Sequence, residues 1–181
     1  MARSLRDITR YQRVSHKQIF DFESSIKGAD DRAAAITLGA IIDTGLERVL
    51  RNCMRKMNKT DRENLFERGP LSSFSSRLKL SFALGLVGPK TKHDLETIND
   101  IRNAFAHSVR KLTFKNRTIG NRMKGLHIHG ILSRPGRKRP LNKRPIRTQF
   151  VMVATVFGAI LHHVKLPPKN RLKPLRGDLG Q

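Results

Sequence analysis

The chain has 181 residues, one cysteine, no tryptophan and a formal net charge of +23. That length sets one domain, and a lone Cys53 excludes an internal disulfide and points to a reducing, cytoplasmic setting. The longest uncharged apolar run, Phe150 to Leu161, is too short to span a bilayer, and the Arg-rich opening lacks the apolar run of a leader, so neither a membrane nor a signal peptide is expected.

Residues 1–15 carry no period and read as an N-terminal arm. The helical domain is expected over 16–164, beginning with a short helix over HKQIFDFESSI that Ser15 caps, with Ile19, Phe22 and Ile26 on one stripe. Asp30 or Asp31 then opens a long helix in which Leu38, Ile42, Leu46, Val49, Cys53 and Met57 recur at three- and four-residue steps. Gly39 and Gly45 within it mark places where another helix can come close. Asn58-Lys59-Thr60 breaks the pattern. A third helix is expected within residues 69–89, with Pro70 near its first turn and Leu71, Phe74, Leu78 and Phe82 or Ser81 on its inner face.

The fourth helix, opened by Thr91 or Asp94, carries DLETINDIRNAFAHS. Its core set is Ile98, Ile101, Phe105, Val109 and Leu112, within an arc of about 80° on the helical wheel. Beyond it, residues 114–132 hold one short helix. Residues 133–147 contain three prolines and seven basic residues without an acid, so they read as a basic loop. An apolar helix over Thr148–Val164 belongs in the core, and the basic tail 165–181 is expected to be disordered. The whole is an all-α, single-domain bundle.

Charge is distributed unevenly. Residues 1–100 hold 18 Lys/Arg against 13 Asp/Glu, whereas 101–181 hold 19 against Asp178 alone. Such a half points to a polyanionic partner, and nucleic acid is the expected one. Arg134, Arg137, Lys138, Arg139, Lys143, Arg144 and Arg147 are the phosphate-contacting candidates, holding a backbone without reading its bases.

On the fourth helix, Arg102, Asn103 and His107 line the arc beside the core stripe, over the small floor of Ala106. An imidazole to move a proton and a guanidinium to steady charge on phosphorus oxygens suit phosphodiester chemistry without metal. One such set lacks a second acid or base, which a two-fold homodimer would supply. No cofactor pattern surrounds serines 72–76. The pairs His127/His129 and His162/His163 lack a cysteine or carboxylate cluster, so no metal is expected.

The stretches GPLSSFSSRLKLSFALGLV and DLETINDIRNAFAHS, in that order and spacing, resemble the mannitol operon repressor family over roughly residues 30–165. The resemblance implies an all-helical bundle and a role in repression of a sugar operon or similar regulation. RNAFAH is also similar to the R-x4-6-H motif of the HEPN superfamily, whose active members are metal-independent dimeric ribonucleases. Carried over, that motif implies Arg102, Asn103 and His107 as catalytic candidates. Three functions therefore stand as expectations: regulation through nucleic-acid binding, RNA cleavage, and a protein-partner scaffold.

Overall fold

The computed structural model describes residues 26, 28–132 and 140–164. The expected N-terminal arm and its following helix up to Ser25, the core of the basic loop and the tail beyond Val164 lie outside the described residues. Among the described residues there are seven α-helices and no strand: α1 (Asp31–Cys53), α2 (Lys59–Phe66), α3 (Phe74–Ala83), α4 (Pro89–His107), α5 (Arg117–Lys124), α6 (Ile128–Leu132) and α7 (Ile146–His163), with one 3-10 turn at Leu141–Lys143. The all-α expectation holds.

α1 is the axis of the bundle, packing against α7, α4 and α3. Asp30 caps it, its Oδ1 accepting from the Ala33 N–H at 2.7 Å. Leu38, Ile42, Leu46 and Val49 are buried as the period required, and Ala34 and Ala35 extend the stripe toward the N-terminus. The two glycines do admit neighbours. A Cβ at Gly45 would lie 2.7 Å from Leu161 Cβ, and one at Gly39 would lie 2.6 Å from Arg102 Cγ. α7 therefore rides directly on α1, burying Phe150, Val153, Ala154, Phe157 and Leu161.

Several boundaries depart from the sequence reading, the start of α7 among them, at Ile146 rather than Thr148. α1 ends at Cys53, and Met57 lies beyond it because Asn58 opens α2, its Oδ1 accepting from Asp61 N–H at 2.8 Å. α3 begins only at Phe74, where Ser73 takes the Ser76 N–H, so Pro70 lies in the preceding turn. α4 opens at Pro89 rather than at Thr91 or Asp94: at the first helical position the missing N–H of proline costs nothing. Residues 117–132 form two helices rather than one.

The largest correction concerns the end of α4. The helix stops at His107, and Ser108 turns extended with φ −68° and ψ 121°. Val109, assigned above to the core, is fully exposed, while Leu112 is only partly buried against the core. The place a further helical turn would have filled is taken by Phe114, whose ring lies 4.8 Å from that of Phe105 and 5.0 Å from that of Phe150. An aromatic ring delivered by a loop brings more apolar area to this position than valine would.

Candidate functional site

Among the polar junctions that hold the helices in place, three bear on a candidate residue. The first is at the start of α1. Arg147, at the head of α7, donates to Asp31 Oδ1 at 2.6 Å and to the carbonyls of Ile26 and Ala29 at 2.7 and 2.6 Å. The other oxygen of Asp31 accepts from Phe114 N–H at 2.8 Å. One carboxylate thus ties α1, α7 and the Phe114 loop together. Arg147, expected on phosphate, is committed within the protein.

The remaining basic candidates divide. Arg144 lies half-buried with Nη1 3.8 Å from Met152 Sδ, and Lys143 is exposed. Arg134, Arg137, Lys138 and Arg139 lie outside the described residues.

The second junction is the RNAFAH turn itself. Arg102 is half-buried, its stem laid over Gly39 of α1, and its Nη1 donates to Asn103 Oδ1 at 2.8 Å. His107 is exposed at the last position of the helix, with no hydrogen bond to either residue. The structure therefore joins Arg102 to Asn103 and leaves His107 apart within one chain. Just beyond, Arg32 of α1 donates to the Ser108 carbonyl, and Ser108 Oγ donates to Arg110 O at 2.7 Å. A hollow of 520 Å³ opens here, lined among others by Arg32, Val109, Arg110, Lys111 and Arg147 together with Asp30 and Asp31. An exposed apolar side chain stands there beside two exposed cations.

The third junction was not legible from the local pattern. Asp94, 1% exposed on α4, accepts from the backbone N–H groups of His127 at 2.9 Å and Ile128 at 2.8 Å, and its Oδ1 lies 3.1 Å from His127 Nδ1. These are donors at the start of α6 that the helix itself leaves unpaired, and Asp94 caps them from 33 residues away. His93 lies alongside, its ring 5.0 Å from that of His127 and nearly perpendicular. The only local signal was an acid on the inner side of an apolar stripe, a position that requires a partner.

Arg77 was missed for the same reason. It is 4% exposed, and its guanidinium meets Asp43 at 2.7 Å, Glu47 at 3.2 Å and the carbonyls of Leu71 and Phe66 at 2.8 and 3.1 Å. The signal was the pair of acids four residues apart on α1, flanking the buried stripe.

Two histidines sit in the interior. Burial pushes His162 below the usual imidazole range, with the Ile41 carbonyl opposing; its Nε2 donates to that carbonyl at 3.0 Å, and its Nδ1 is buried without a partner. Burial also lowers His129, against the raising effect of Asp94. Cys53 is buried, which raises its thiol, so it is not poised for reaction.

Residues 32–142 match the family model described as MtlR, mannitol repressor. No curated protein matches the sequence. The X-ray structure of the MtlR–HPr complex from Escherichia coli aligns with a TM-score of 0.63 at 20% identity, covering 81% of this chain and 97% of that chain. At that identity the alignment shows a shared fold. It also corrects the partner expected from the charge: the solved relative is held with a protein, HPr, where nucleic acid was expected. No helix among the described residues is long and apolar enough to cross a membrane. With its matched segment running from α1 to the 3-10 turn before α7, the chain belongs to the mannitol repressor family.

Proposed function

We propose that this chain is a regulator of the mannitol-operon class that acts by docking a protein partner of the HPr kind. The observation that carries this reading is the fold shared over 97% of a relative that was solved with HPr. The turn after α4 supplies a suitable surface. Val109 is fully exposed, and Arg110 and Lys111 beside it are cationic and solvent-facing. An apolar contact ringed by charge is the usual makeup of a transient protein interface, with the charge setting encounter rate and the apolar centre holding the complex.

The test is a titration of isotope-labelled HPr with the purified chain, followed by chemical-shift changes. The expected result is a saturable one-to-one complex whose affinity falls with added salt and is lost on Val109→Ser combined with Arg110→Glu. Absence of any HPr shift at saturating concentrations of the chain would reject the reading. Unchanged affinity in the double variant would move the interface elsewhere on the fold.

A further inference from the structure

Among the described residues His129 and His162 are enclosed, whereas His93 and His127 face solvent on either side of one buried carboxylate, that of Asp94. We propose that His93, Asp94 and His127 form a binding site for a divalent transition-metal ion of the zinc class. Their ligand atoms all lie within 4.8 Å of one another, although His93 and Asp94 come from α4 and His127 from the turn before α6.

The spacing suits one ion. Zinc holds imidazole nitrogen and carboxylate oxygen at about 2.0–2.2 Å, so ligand atoms in a tetrahedral shell sit roughly 3.3 Å apart. His127 Nδ1 and Asp94 Oδ1 are 3.1 Å apart already, which is one edge of that shell. His93 supplies the third ligand by a small rotation of an exposed side chain, and water completes the shell, as in an open zinc site.

The carboxylate has the capacity for this. Two oxygens offer about four acceptor positions. Two are held by the His127 and Ile128 N–H groups, which fix Asp94 in place, and a third by the His127 ring. A metal ion replaces only that last bond: the imidazole proton shifts from Nδ1 to Nε2, and both freed atoms turn to the ion. The backbone donors stay where they are, acting as the outer shell that orients a ligating carboxylate. Two imidazoles and one carboxylate favour zinc, nickel or copper over calcium or magnesium, which prefer all-oxygen shells.

The experiment uses the untagged, metal-free full chain titrated with zinc chloride by calorimetry, with cobalt(II) absorption as a second readout. His93→Ala and His127→Ala each remove an exposed ligand without touching the core. Asp94 is left intact because it anchors α6. The expected result is one zinc per chain, cobalt(II) bands of tetrahedral strength, and at least about a tenfold loss of zinc affinity in each variant. His107→Ala, remote in the fold, retains wild-type binding. Wild-type zinc binding that is undiminished in both His93→Ala and His127→Ala overturns the site, as does failure of the wild type to bind zinc at all. Neither result depends on whether HPr is bound.

Discussion

Arg77 on α3 places Nη2 3.2 Å from Oε2 of Glu47 on α1, and both side chains are shielded from solvent. The guanidinium is satisfied on the remaining sides by Asp43, the Leu71 carbonyl and the Phe66 carbonyl at the end of α2, so α1, α2, α3 and the turn carrying Leu71 meet at one cation. Burying charge is unfavourable, and the pair is tolerated because so many of its hydrogen-bonding groups are used. Removal of one partner strands the other. Arg77→Ala is expected to cost about 3–5 kcal/mol, read from the midpoint of denaturant unfolding. A loss below half of that would mean that water or Arg51, 3.7 Å from Glu47, takes over the role.

The fate of Arg147 separates structural from surface cations. Its three short contacts at the head of α1 predict that Arg147→Gln destabilises by roughly 1–3 kcal/mol. Lys143, four residues earlier and exposed, is expected to leave unfolding unchanged when replaced by Gln. Equal effects at the two positions would contradict the clamp.

Glycines provide a second contrast. At Gly45 an added methyl group meets Leu161 Cβ at 2.7 Å, an atom next to the backbone that has no room to swing away. Gly45→Ala therefore destabilises by about 1–2 kcal/mol even after its helix-propensity gain. Gly130 in α6 has nothing within 4 Å of such a methyl group, so Gly130→Ala is expected to stabilise by up to about 1 kcal/mol. Thermal unfolding of the two variants gives opposite signs if the packing is as described.

His162 imposes a pH dependence with a definite sign. In the unfolded chain its imidazole takes up a proton near pH 6.5; in the folded protein burial holds its affinity for protons lower. Above the unfolded value both states are neutral and the group contributes nothing. As pH falls through about 6.5, the unfolded state binds a proton that the folded state resists, so stability declines until the folded group also titrates. His129 acts in the same direction. Unfolding free energy measured between pH 8 and pH 5 is expected to fall, and His162→Gln should flatten part of the slope. A slope unaffected by that substitution would place the titration elsewhere.

Helix class, the stripe of α1 and the burial of α7 were legible in the sequence because each depends on local periodicity. Leu38, Ile42, Leu46 and Val49 repeat at the helical step, and any fold that buries one buries all. Capping acids and asparagines act within one turn, so their signals are local too, although Asn58 was read as a break rather than as the cap of α2. The resemblance to the mannitol repressor family rested on two such local stretches, and the family match bears it out. What the tertiary structure alone decided are contacts between residues far apart in the chain. Phe114 supplants Val109 because a loop returns it to Phe105 and Phe150, and no period announces a return. Arg147 looked like one more cation in a basic run until Asp31, 116 residues away, was placed beside it. Asp94 and His127 lie 33 residues apart and meet only because the start of α6 needs acceptors that its own sequence lacks. Net charge, likewise, is a sum over the chain that carries no geometry. Periodicity determines which face of a helix turns inward, while long-range polar satisfaction determines what each charged group on the boundary is for.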